Sequence, residues 1–138
     1  MVEDPVALCL GSFDVLHYGH IQFLNRVARL GDVVIGLGTD EYQEGYKRLP
    51  VCSYTERKAA LVELGYEVVA RDQVSIVPLI EQVEPAFLVA GSEWFDAPYL
   101  ELSGIDIGYL ERNNVTLVFV PRNHDMSTSE LIRRINES

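Results

Sequence analysis

Histidine occurs three times in this chain, and two of the three, His17 and His20, stand three residues apart with Gly19 between them. They follow the apolar run Val6-Ala-Leu-Cys-Leu10 and Gly11, where a helical pattern begins. Residues at i and i+3 on a starting helical turn point the same way. Two imidazole donors beside a helix N-terminus, whose N–H groups carry partial positive charge, make a place for phosphate oxygens. They suit above all the charge that grows in a transition state. Gly11 lets the chain turn sharply, and Gly19 leaves the helix start bare. Alone, a histidine more often satisfies a buried backbone group and a glycine is often only a cap. Here strand end, glycine, paired histidines and helix start coincide.

Other residues could join such a site. Ser127-Thr-Ser-Glu130 reads as a capping box, and capping uses the same N–H groups that bind phosphate. Lys47-Arg48 lies in a polar loop, where most basic pairs are merely solvated. Arg57 falls on a helix, where it either pairs with Glu56 or Glu63 or serves a site. Asp14 caps a turn or orients a site group, and Trp94 is either core or a flank for a planar base. Phe13 and Tyr18 read as packing, with the backbone at Ser12 and Phe13 as a candidate ligand contact. No Ser/His/Asp or Cys/His nucleophile constellation is evident.

The elements that must position these residues follow from hydrophobic period. Val6–Leu10, Val33–Leu37, Tyr66–Ala70, Ala86–Ala90 and Val115–Val120 read as five strands. Their near-continuous apolar character is that of a parallel sheet covered on both faces. Helical spacing marks Ile21 to Leu30, Glu56 to Leu64, a short stretch from Ser75 to Val83, and Ser127 to Asn136. Strand alternating with helix predicts an α/β, Rossmann-like, doubly wound five-stranded sheet in one domain over residues 1–138. Ligands then bind beyond the carboxyl ends of the strands, where the strand order reverses.

Bulk properties narrow the partners. The chain has 138 residues, 48% of them hydrophobic, enough for one real core. The apolar runs fall well short of the ~20 residues of a membrane span. The start Met1-Val-Glu-Asp-Pro lacks the pattern of a signal peptide, and Cys9 and Cys52 suggest neither a disulfide framework nor a zinc site. Together these predict a cytoplasmic protein with no membrane partner. A net charge of −10 argues against nucleic acid, though local cations and helix ends can still hold a small anion.

Gly11-Ser-Phe-Asp14 followed by His17-Tyr-Gly-His20 resembles the G-[ST]-F-D…H-x-G-H signature of the cytidylyltransferase-like nucleotidyltransferases, with the small glycerol-3-phosphate cytidylyltransferases nearest in appearance. The likeness continues through Leu24–Tyr42, Tyr54–Leu61, Val89–Phe95 and Pro121–Ile135, the last resembling the R-T-x-G-I-S-[ST]-[ST] motif. It implies transfer of CMP from CTP to a small phosphorylated alcohol with release of pyrophosphate. It assigns His17, His20, Lys47, Arg48 and Arg122 to catalysis. Gly11, Ser12, Phe13, Gly19, Arg57, Gly91, Trp94, Met126, Ser127, Thr128 and Ser129 go to the nucleotide. A divalent cation, Mg²⁺, arrives with the triphosphate and no metal ligand is assigned on the chain; a homodimer is expected. The alternatives are AMP transfer from ATP, as in flavin- or pantetheine-phosphate adenylyltransferases, and a catalytically silent nucleotide-binding protein.

The chain departs from the family pattern at three places. Asp125 stands where glycine is usual, Ser92-Glu93 where an aspartate pair is common, and Phe95-Asp96 where a lysine soon follows the tryptophan. These changes bear on the acceptor and the base more than on the fold.

Overall fold

The structure, a computed structural model, describes residues 4–95, 98–121 and 128–137, the backbone alone at 128–130 and 137. Five strands form one all-parallel sheet: β1 (Val6–Gly11), β2 (Asp32–Gly38), β3 (Glu67–Arg71), β4 (Phe87–Gly91) and β5 (Thr116–Val120). Their order is β3-β2-β1-β4-β5, so the chain winds outward from β1 in one direction and then returns to build the other half. The order reverses between β1 and β4, as the doubly wound reading requires.

Alternation along the strands feeds two cores. Ala7, Cys9, Ile35, Leu37 and Val89 meet Leu24 and Val27 of α1 (Tyr18–Val27) and Leu61 of α3 (Tyr54–Glu63) on one face. Leu8, Val34, Leu88 and Ala90 meet, on the other, Leu79 and Ile80 of α4 (Val77–Val83), Tyr99 of α5 (Tyr99–Leu102) and Leu110 of α6 (Ile107–Arg112). Each fully buried leucine or isoleucine contributes about 1.5–3 kcal/mol by leaving water. The other α-helices among the described residues are α2 (Asp40–Tyr46) and α7 (Thr128–Glu137), and a 3-10 turn covers Ser92–Trp94. No helix among the described residues is long and apolar enough to cross a membrane.

Differences from the sequence reading are local. α1 ends at Val27, three residues before Leu30. α3 begins at Tyr54, because Ser53 and Glu56 form a reciprocal capping box, and it stops where Gly65 takes φ +94°. Three short helices, α2, α5 and α6, were not expected. α2 carries Gly45 inside it and has no buried residue, so it shows no apolar stripe; its signal was Thr39, whose hydroxyl accepts from Tyr42 N–H at 3.2 Å, ahead of the acidic turn Asp40-Glu41.

Candidate active site

A cavity of about 720 Å³ opens at the carboxyl ends of β1 and β4, within the range of nucleotide-sized sites. Gly11 and Gly91, the last residues of those strands, line it. A Cβ on Gly11 would stand 2.9 Å from the Phe13 ring, and one on Gly91 would run into the Glu93 carboxylate. The glycines keep the strand ends low rather than make the turn. The reversal expected at Gly11 falls instead on Phe13 (φ 46°) and Val15 (φ 49°), both left-handed. For a β-branched valine that conformation stores roughly 1–3 kcal/mol of strain beside the site.

The histidines form a locked pair. His17 caps α1, its Nδ1 accepting from Gly19 N–H at 3.0 Å. His20 reaches back, its Nδ1 accepting from His17 N–H at 3.2 Å. The rings stack with centroids 3.9 Å apart, and Phe13 lies against His20 at 5.3 Å. With both Nδ1 atoms serving as acceptors, the proton of each neutral ring must sit on Nε2, which becomes the donor. One expectation changes here: the Gly19 amide is spent on the cap instead of standing bare. What the helix start offers is two oriented imidazoles.

A buried carboxylate holds the loop that follows α2. Asp14, 1% exposed, accepts from Val51 N–H at 2.8 Å, Cys52 N–H at 2.9 Å and Arg48 Nη1 at 3.1 Å. Burial pushes its carboxyl up, but the two amides and Arg48 outweigh burial and hold it below the usual carboxylate range. The loop therefore presents Lys47 and Arg48 at the cavity wall.

Arg57 works from behind that wall. Its side chain is 1% exposed and does not line the cavity. The guanidinium donates to the carbonyls of Cys52 (3.0 Å), Ser12 (2.9 Å) and Gly38 (2.8 Å) and pairs with Asp40 at 2.8 Å. Donation from Arg57 lowers the Asp40 carboxyl from its ordinary value. Expected as a nucleotide contact, Arg57 instead ties together the ends of β1 and β2 and the start of α3. Its donors are engaged by the protein.

The structure thus brings Gly11, Ser12, Phe13, Gly19, His20, Lys47, Arg48, Gly91 and Trp94 onto one cavity; His17 does not line it and is tied to it through its stack on His20. Arg122, Met126 and Ser127 lie outside the described residues. Thr128 and Ser129 begin α7, and nothing further is described of them. Sequence reasoning missed Tyr42, Tyr46, Arg71, Glu93 and Tyr99, which share the cavity. The available signals were the i, i+4 tyrosines of α2 and an arginine closing an apolar run at a strand's carboxyl end. Among the described residues, no group of three or more His, Cys, Asp or Glu could hold a metal ion.

Comparison with known proteins agrees with this geometry. The chain is 34% identical over 145 residues to the bifunctional protein HldE of Campylobacter concisus, a match covering 99% of this chain and 28% of that protein. It is 36% identical over 99 residues to HldE of Vibrio parahaemolyticus, covering 66% and 20%. The chain thus spans between a fifth and 28% of the length of these relatives. Among solved structures, a lipopolysaccharide core biosynthesis protein from Thermoplasma volcanium superposes with a TM-score of 0.70 at 20% identity, covering 87% of this chain and 98% of that one. Pantothenate synthetase from Thermus thermophilus gives 0.59 at 16% identity, covering 96% and 66%. The model of the cytidylyltransferase-like family matches residues 8–134. With that match over nearly its whole length, the chain belongs to the cytidylyltransferase-like family and is a nucleotidyltransferase.

Proposed function

We propose that this nucleotidyltransferase moves CMP from CTP to a small phosphorylated alcohol or sugar. A phosphate oxygen of the acceptor attacks the α-phosphorus in line, the new O–P bond forms as the bond to the β-phosphate oxygen breaks, and pyrophosphate leaves. No enzyme-bound intermediate is required, so catalysis consists of positioning and charge neutralisation. His17 and His20 donate from Nε2 to the phosphate oxygens on which charge builds, and Lys47 and Arg48 neutralise the triphosphate from the loop that Asp14 pins. Mg²⁺ enters bound to the triphosphate, as part of the substrate. Arg122, Met126, Ser127, Thr128 and Ser129 join this reading on sequence resemblance alone, as does the homodimer.

The observation that carries the reading is the stacked histidine pair, Nδ1-locked at the start of α1, of which His20 lines a cavity at the point where strand order reverses. AMP transfer from ATP is the second reading. Trp94, one of several aromatics on the cavity wall, meets adenine as readily as cytosine through its π-face. The test is a pyrophosphate-release screen crossing CTP, ATP, UTP and GTP with phosphorylated alcohols and sugar phosphates. Release that requires both a nucleotide and an acceptor supports the reading and selects the base. Nucleotide binding without release from any pair would leave a silent binder in its place.

A further inference from the structure

One end of the cavity has no part in the chemistry above. Arg71 closes β3 and pairs with Gly38 of β2, while Gly11 of β1 pairs with Leu37. Arg71 therefore stands two strands away from the histidine mouth, about 10 Å across the sheet at the usual strand spacing. It lines the cavity yet is 9% exposed. Its Nε donates to Gln73 O at 3.3 Å, and its Nη2 to Val74 O at 2.7 Å and Leu102 O at 3.3 Å. Among the described residues no carboxylate pairs with it, and Nη1 has no acceptor. The Tyr42 ring covers the guanidinium with its centroid 4.5 Å away. Three carbonyls fix the position of this cation without neutralising it. Burial lowers its pKa, in keeping with a charge that lacks a partner.

Lining the same cavity is Tyr99, 8% exposed, whose hydroxyl has no hydrogen-bond partner among the described residues. The ring is held edge-on by Trp94 at 5.4 Å and Phe119 at 6.4 Å. Burial pushes its pKa above the ordinary tyrosine value, so the hydroxyl keeps its proton and can donate. Arg71, a buried guanidinium with a spare Nη1, and Tyr99, whose unpartnered O–H is itself buried, thus line the same cavity. Such a set is matched by a ligand group that only accepts and carries negative charge, and arginine's fork fits carboxylate or phosphate.

We propose that this end of the cavity is a subsite for the acceptor's tail, and that it selects phosphorylated acceptors bearing a second anionic group, carboxylate or phosphate, remote from the phosphate that reacts. The inference rests on the nucleotidyl-transfer reading for where the reacting phosphate lies, near His20. The separation of about 10 Å between strand ends then suits an acceptor whose two anions are joined by a short carbon chain. Arg71 is the specificity-determining cation, and Tyr99 contributes the second donor.

Binding tests this independently of turnover. Titration calorimetry on the full chain with CTP present compares matched probes: 3-phosphoglycerate against glycerol 3-phosphate for a carboxylate tail, and glucose 1,6-bisphosphate against glucose 1-phosphate for a phosphate tail. The doubly anionic member of at least one pair should bind roughly 10- to 100-fold more tightly, the range for hydrogen bonds to a charged group. Which pair shows the preference identifies the tail's anion. Arg71→Gln should abolish the preference, Arg71→Lys should keep part of it, and Tyr99→Phe should reduce it about threefold, all with CTP affinity unchanged. Should Arg71→Gln fail to fold, Arg71→Lys and Tyr99→Phe decide. Equal affinity within both pairs, no binding by any probe, or a preference untouched in the folded variants overturns the proposal. Failure of the underlying reading looks different: the tail preference holds, and no nucleotide–acceptor pair releases pyrophosphate.

Discussion

His17 does two jobs that a single alanine substitution confounds, and a pair of substitutions separates them. As the cap of α1 it accepts from Gly19 N–H, and losing such a cap costs about 1 kcal/mol. At about 2.1 cal/mol/K per residue over 138 residues, that lowers the melting temperature by about 3 °C. As a donor to developing phosphate charge its loss should cost about 10²–10³ in kcat, the usual effect of removing one preorganised donor. His17→Ala should show both effects. His17→Asn should show only the second, because asparagine caps well but has no imidazole to stack on His20 at 3.9 Å. The assays are thermal unfolding by circular dichroism and pyrophosphate release with the best nucleotide–acceptor pair from the screen. Full activity in His17→Asn would show that the ring is only a cap, and the catalytic assignment would be withdrawn.

Other outcomes follow from the buried charges. Asp14→Asn should destabilise the fold by about 3 kcal/mol in urea titrations, since two backbone donors and Arg48 lose a buried carboxylate. The same variant should release the loop carrying Lys47 and Arg48, raising the KM for nucleotide. Because the folded-state pKa of Asp14 is depressed, its contribution is present above the unfolded value near pH ~4 and is lost as pH falls through the folded value. Parent and Asp14→Asn stabilities should therefore converge as the pH falls, and a gap that does not narrow with acid would contradict the assignment. Arg57→Met should lower stability by about 3–5 kcal/mol, because Asp40 and three carbonyls lose their partner at once. Sedimentation at micromolar concentration should show a dimer.

The parallel sheet was legible because a strand buried on both faces leaves a continuous apolar run, and five such runs are separated by helical spacing. His17 and His20 were legible because their types are rare here and their spacing is that of one helical turn. The part played by Asp14 was not, since its partners Val51 and Cys52 lie far along the chain and are backbone groups, which carry no side-chain signature. Arg71 was hidden for a related reason. An arginine after Glu67-Val-Val-Ala70 reads as the solvated end of a strand, and only the packing of α2 and α5 over it buries the charge. The backbone reversal was assigned to Gly11 on propensity, whereas the fold places left-handed geometry on Phe13 and Val15 and keeps glycine for clearance.

The Arg57 clamp also bears on how the site opens. Carbonyls of Ser12, Gly38 and Cys52 converge on one guanidinium, so freeing any of them leaves a buried N–H without its acceptor. The floor of the cavity should accordingly fluctuate as a unit, with amide hydrogens from three separate stretches exchanging at a common rate. A ligand that steadies one stretch then quiets the other two, although it never touches the residue that joins them.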